Sequence, residues 1–324
     1  MISGPASFVP TTAEFLAHWT LVNAALPPAE PLVLVGAITR AILDGHGTTL
    51  GTLHSQVQAE INDVELAIGD LDARKLALHT RLNQFNDKIR AYLGATTFAR
   101  AMPKVPGITE GQGTFFPPLD DMDNLWLRIN AMAPIPGFTP PLLLGGYAHA
   151  TFSALPAGDL ALLRAAYKAV GREELELRVK RGERQDLEDV IYPILKSYRE
   201  AMPTFFAPTH ALVESLPRLT PDPGSTPDPV NATGVWDAAA VKAKITWEAS
   251  TAADLDHYEI RWSPGSTYST DDESTLGSVA KDATREFLSA QGLGAPGAVS
   301  VFRVYVVTET GNEKGSNTVK ITRP

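Results

Sequence analysis

One run of the chain constrains the fold more than any other. Stepping alternately by four and three residues gives Leu50, His54, Val57, Ile61, Val64, Ile68, Leu71, Lys75, Leu78, Leu82, Phe85, Ile89 and Tyr92. An apolar stripe of period 3.5, broken only by His54 and Lys75, is the seam of a coiled-coil-like helix. From about Leu50 to Leu93 such a helix extends about 66 Å at 1.5 Å per residue. A compact domain does not need that length, so a second long helix must lie along it. The segment Asp159 to Met202 is the predicted partner, with Pro193 expected to kink it. Glu60, Asp63, Glu65, Asp70 and Asp72 are followed by no basic residue within that stretch, whereas Arg178, Lys180, Arg181 and Arg184 crowd the middle of the partner. Antiparallel packing would bring these charges face to face, although exposed ion pairs contribute only about 0 to 1 kcal/mol each.

Upstream, Thr12 reads as the N-cap of a shorter helix that places Phe15, Leu16, Trp19 and Val22 on one face. The helical part also echoes itself. Pro31-Leu32-Val33-Leu34 returns as Pro141-Leu142-Leu143-Leu144, Ala101-Met102-Pro103 as Ala201-Met202-Pro203, and Thr114-Phe115-Phe116 as Thr204-Phe205-Phe206. Landmarks in a shared order suggest an internal duplication of residues 31–133 and 141–216, with "KVPGITEGQG" inserted in the first copy only. The Phe115-Phe116 and Phe205-Phe206 pairs are expected to plug the bundle where helices end. The helical expectation is therefore an elongated antiparallel bundle over residues 1–216.

Residues 217–229 carry Pro217, Pro221, Pro223, Pro227 and Pro229 around Gly224. Proline at that density blocks helix and sheet ladders and predicts a stiff, extended linker. Beyond it the period becomes two. Val241, Ala243, Ile245 and Trp247 alternate with polar residues, as do Tyr258, Ile260 and Trp262, then Phe302, Val304 and Val306, then Val319 and Ile321. About seven short strands in residues 230–324, without cysteine, predict an antiparallel sandwich. The expected class is multidomain α plus β.

The residues Pro227 and Pro229, Trp247, "LDHYEIRW" with Tyr258, and "FRVYVVTETGNEKGSN" resemble a fibronectin type III domain, over residues 228–324 only. That resemblance implies binding, spacing or assembly rather than catalysis. Phe302 stands where the family's corner tyrosine is expected, so the hydroxyl-to-backbone bond of that corner would be missing. The hairpin turn Thr310-Gly311-Asn312-Glu313 has turn-forming residues. On the outward face His257, Glu259, Arg261, Arg303, Tyr305 and Lys320 are expected to lie together. Of these, Arg261, Arg303, Tyr305 and Lys320 form the candidate interaction surface, since tyrosine beside arginine suits a protein interface.

Catalytic signatures are missing from the sequence. The histidines, seven in all, form no His-x-x-x-His pair. "DGHGTTLGTLH", at His46 to His54, lacks the Gly-Lys-Ser ending of a phosphate loop and reads as a helix start capped by Thr48 or Thr49. Asp120, Asp121 and Asp123 read as the negatively charged opening of a short helix. Asp271, Asp272 and Glu273 match no calcium-loop spacing and read as a solvated turn. No catalytic, cofactor or metal residue is expected. A net charge of -9 argues against nucleic-acid partners, and no apolar run reaches the length of a membrane span. The start of the sequence shows no secretory signal, which leaves a cytoplasmic location, or leaderless export to the cell surface, as the expectation.

The reading that results is a non-enzymatic structural or assembly protein. In it a rigid helical rod displays the fibronectin-like module for contacts with itself, as a homo-oligomer, or with other proteins. An adhesion-type module for a protein or glycan is the alternative, and a helical pore-forming toxin a third.

Overall fold

The computed structural model describes residues 2, 4–220, 224 and 226–324. Helices occupy the N-terminal part: α1 (Pro5–Ala25), α2 (Arg40–Leu93), α3 (Gln112–Asn130), α4 (His149–Ser153), α5 (Asp159–Phe205) and α6 (Ala211–Glu214), with a short 3-10 turn at Thr97–Ala101. Antiparallel sheets follow, so the class is α plus β. The compact units cut across the division expected from the linker. One comprises Met1–Asn62 with Leu177–Pro324, and the other Asp63–Glu176.

α2 begins ten residues before the seam, so Thr48 and Thr49 are interior residues and not caps. Their hydroxyls bond back to the carbonyls of Asp44 and Gly45. The seam is buried at Leu50, Val57 and Ile61 and again from Lys75 to Ile89, but Ile68 is 36% exposed and Tyr92 48%. Pro193 lies inside α5 without ending it. α1 starts at Pro5 rather than at Thr12. Ser7 ties its first turn to Gly4, and Thr12 is buried in the helix. Asp120, Asp121 and Asp123 fall in the body of α3, which begins earlier, at Gln112.

In the first unit, Phe15, Trp19 and Val22 of α1 share a core with Leu43 and Leu50 of α2 and with Ile191, Leu195, Tyr198 and Met202 of α5. In the second, Met122, Trp126 and Ile129 of α3 share a core with Leu78, Leu82, Phe85 and Ile89 of α2 and Leu163 of α5. Each unit therefore joins the start of one long helix to the end of the other. The parts also correspond at nearly constant spacing. Trp19 and Trp126 stand 107 residues apart, as do Asn23 and Asn130. Trp19 lies 4.8 Å from the ring of Tyr198, and Trp126 lies 5.5 Å from Phe85, which is 113 residues before Tyr198. Asn23 Oδ1 accepts from Leu32 N–H at 3.0 Å, and Asn130 Oδ1 from Leu142 N–H at 2.8 Å.

Leu32 and Leu142 of the two Pro-Leu echoes are thus held alike, whereas the members of the other two echoes sit differently. Met202 is buried within α5, whereas Met102 follows the 3-10 turn. Phe115 and Phe116 are buried in the first turns of α3, whereas Phe205 ends α5 and is 50% exposed. The two phenylalanine pairs are not equivalent, because one enters a helix and the other leaves one.

The Pro-rich segment begins as packed chain. The Pro217 carbonyl accepts from Arg199, Leu219 joins the core of the first unit, and the Leu219 carbonyl accepts from Ile2 N–H at 3.0 Å. Pro221 and Pro223 lie outside the described residues.

The strands are β1 (Ala232–Asp237), β2 (Lys242–Trp247), β3 (Leu255–Ser263), β4 (Ser274–Ala280), β5 (Glu286–Ser289), β6 (Val299–Thr308), β7 (Glu313–Gly315) and β8 (Val319–Thr322). One sheet runs β1-β2-β5, the other β4-β3-β6-β7 with β8 also on β6. Ala243, Ile245, Tyr258, Ile260, Trp262, Phe302, Val304 and Val306 fill the core between them. Val241, expected inside, precedes β2 with φ 54° and is 50% exposed, because the turn there reverses the alternation. Gly311 at φ 81° makes the β6–β7 turn. Buried Ser300 donates to the Gln291 carbonyl at 2.8 Å and accepts from Trp262 Nε1 at 2.6 Å.

Candidate functional site

Alternation on β3 and β6 sends Tyr258, Ile260, Phe302 and Val304 inward, so Glu259, Arg261, Arg303 and Tyr305 take the opposite face. That face was expected to meet solvent. Instead Arg261 is 6% exposed and Tyr305 7%. The Arg261 guanidinium donates to Glu273 at 2.9 Å and to both carboxylate oxygens of Glu313 at 2.9 and 2.5 Å, and a further donation reaches Glu259. It also stacks 4.0 Å from the centre of the Tyr305 ring. Glu273 in turn accepts from the hydroxyl of Tyr305 at 2.8 Å and from that of Tyr268.

The electrostatics follow from one cation among three carboxylates in a place with little water. Burial pulls the Arg261 pKa down, but Glu313, Glu259 and Glu273 outweigh it and hold the group above its ordinary value. Burial first, then the charge of Glu273, pushes the phenols of Tyr268 and Tyr305 up, so both stay protonated and donate. Four of the five donors of this arginine are committed to carboxylates of the fold. Its chemistry is to tie β3, β4, β6 and β7 together.

Arg261 and Tyr305 therefore leave the candidate interaction surface, since their side chains are buried in this cluster. Arg303 stays at its edge, half-buried, with its guanidinium 4.3 Å from the Tyr268 ring and a 3.1 Å bond to Thr318. Lys320, on β8, is exposed.

A second polar cluster was not legible in the sequence. Asp272, read as a solvated loop residue, is 1% exposed. Arg181 of α5 grips its carboxylate with two nitrogens, at 2.5 and 3.1 Å, and Arg184 stands 3.7 Å away. From α2, Gln58 Nε2 donates to the Asp272 carbonyl at 3.3 Å and to Ser274 Oγ at 2.5 Å, and His54 Nε2 bonds the same hydroxyl at 2.7 Å. The basic run on α5 thus has a partner on the sheet side of the same unit. Burial lowers the His54 pKa, Arg184 lowers it further, and Asp272 opposes both. Burial raises the Glu188 carboxyl, against the pull of Arg184 at 3.6 Å. Beside the Arg261 cluster, which lines it through Glu259, Arg261 and Glu313, a cleft of ≈ 200 Å³ lies between α1 at Pro10 and Glu14 and the sheet at His257.

No family model and no curated protein matches the chain. Among solved structures, an Fn3-like protein from Clostridium thermocellum is 20% identical over 31% of this chain and 96% of its own, with a TM-score of 0.25. Pectate lyase PelI from Erwinia chrysanthemi is 18% identical over 29% of this chain and 28% of its own, with a TM-score of 0.25. The spore cortex lytic enzyme SleM from Clostridium perfringens is 15% identical over 30% of this chain and 28% of its own, at 0.23. The chain thus spans little more than a quarter of the lyase and of the lytic enzyme.

Proposed function

We propose that the chain is a non-enzymatic structural or assembly protein whose helical part carries a fibronectin type III-like module. The observation that carries this reading is the use of the charged groups. Arg181 and Arg184 of α5 hold Asp272, Arg261 holds Glu259, Glu273 and Glu313, and both sets join elements of the fold. Groups committed in this way serve geometry. The strand order β1-β2-β5 against β4-β3-β6-β7 supports the fibronectin-like assignment.

The contact surface in this reading is made of what the fold leaves outside. Val35, in the turn closed by the Leu34–Ile38 bridge, is 92% exposed, Leu155 87%, Leu66 71% and Leu127 58%, and apolar side chains so placed suit contacts between copies or with another protein. On the sandwich, Arg303 and Lys320 remain available. Mass photometry and negative-stain imaging of purified protein test this. Oligomers that dissociate when Val35 and Leu127 are replaced by aspartate are expected. A monomer at every concentration, with no partner retained by the full chain, would contradict it.

A further inference from the structure

We propose that the two-sheet module is held on the helices of its unit by an electrostatic latch centred on Asp272, which charge screening and acid release while both parts stay folded.

Three observations lead there. First, the helical core and the sheet core of this unit are separate clusters with no residue in common among the described residues. The bonds that join them at Asp272 and Ser274 are polar, and although α1 also contacts β4 through Val9, Pro10 and Ala13, no apolar core runs from the helices into the sheets. Second, the latch is incompletely bonded. His54 Nδ1, Arg184 Nε and Nη1 and Glu188 Oε1 are buried without a hydrogen-bond partner, and Arg184 is held by charge at 3.6 and 3.7 Å rather than by close contact. Buried polar groups left in that state lower the cost of opening.

Third, the molecule contains its own control. At the 113-residue spacing, the counterparts of His54 and Gln58 are Tyr167 and Gly171, and those of Arg181 and Arg184 are Ile68 and Leu71. The counterpart of Gly51 is Arg164, which pairs with Asp120 at 2.7 Å and lies over Phe116. The unit that carries no sheets has none of the latch groups. Where the sheets dock, residue 51 is a glycine, and Arg181 and Arg184 stand at the positions that receive Asp272.

Acid acts through His54. The groups around it are Arg184 and Arg181 from α5, Asp272 from the segment before β4, and Glu188 and Asp271 beyond them. Protonation adds a positive charge next to Arg184, so below the ordinary histidine value of 6.5 the docked form loses ground to a released form in which His54 is hydrated. Glu188, raised by burial, works the other way and only in the carboxylate range.

The chain has no cysteine, so spin labels at Gln56→Cys on α2 and Asp282→Cys after β4, both exposed, report the distance across the latch by pulsed electron resonance. One narrow distance is expected at low salt and pH 8. In Asp272→Asn, which removes the charge-assisted bidentate pair, a broad longer-distance population should grow by about tenfold or more, and 1 M salt combined with pH 5.5 should raise it by a smaller factor, since a buried carboxylate is screened less than an exposed one. Circular dichroism must stay unchanged through this. An unaltered narrow distance under high salt and acid, neither of which needs a substitution, would overturn the proposal. So would broadening that coincides with loss of sheet signal, because the contact would then belong to the sheet fold itself.

Discussion

Replacing Arg261 by methionine tests the buried cluster. Methionine keeps much of the stem's volume and removes the charge. Three carboxylates then lose their cation: Glu273, 5% exposed at its side chain, Glu259 at 21% and Glu313 at 19%. Breaking a buried pair by removing one partner costs about 3 to 5 kcal/mol, because the remaining charge is left desolvated. The stacked Tyr305 ring loses about 1 kcal/mol of cation–π attraction in addition. Glu259 and Glu313 can turn toward water, so about 3 to 4 kcal/mol is expected for the whole change. Amide exchange in β3 and β6 reads it directly, as faster global opening in those strands. Arg303→Ala is the control. It has the same charge and the neighbouring strand but an edge position, and is expected to cost less than about 1 kcal/mol. If Arg261→Met exchanges no faster than Arg303→Ala, the cluster does not hold the sheet, and the reasoning from burial fails.

Other outcomes follow from the same structure. Ser300→Ala leaves Trp262 Nε1 and the Gln291 carbonyl without their partner and should cost about 1 to 3 kcal/mol in urea unfolding monitored by fluorescence. Gly234→Ala drives a Cβ to 2.5 Å from Val319 and 2.7 Å from Ile321, and should destabilise the sheets by about 1 to 3 kcal/mol without touching the helices. His18, buried between Tyr198 at 2.7 Å and the Leu212 carbonyl at 2.9 Å, has its pKa lowered by burial, against a smaller raising by the Leu212 bond. The folded state therefore binds this proton less readily than the unfolded one. Its contribution is intact above pH 6.5 and lost as pH falls from there, so His18→Gln should flatten that part of the stability profile.

Periodicity carried much of the fold. The long helices, the alternating strands and the β6–β7 turn were legible because each depends on near-neighbour spacing and on turn chemistry. Helix starts were misplaced at Thr12 and Thr48, where threonine resembles a cap but lies inside a longer helix; the Thr48 hydroxyl bonds back to the preceding turn, and that of Thr12 is buried without a hydrogen-bond partner. The outward face failed for a different reason. Period two tells which side Arg261 and Tyr305 take, but not that Glu273 and Glu313 arrive from elsewhere in the chain to bury them. Asp272 was illegible on the same ground, since its partner Arg181 lies 91 residues away on a helix whose charges also suited α2. One signal was available. The residues 113 positions from His54, Arg181 and Arg184 are Tyr167, Ile68 and Leu71, all uncharged at neutral pH, so the positions that meet Asp272 stand out against the spacing.

The docking of Asp272 against α5 is tested most directly by a double-mutant cycle in the full chain, with Arg181→Met, Asp272→Asn and both together. Unfolding free energies from denaturant titration give the coupling between the two side chains. A bidentate pair at 2.5 and 3.1 Å with the carboxylate 1% exposed is expected to couple by at least about 1 kcal/mol. Single substitutions that add to within about 0.3 kcal/mol would contradict the contact.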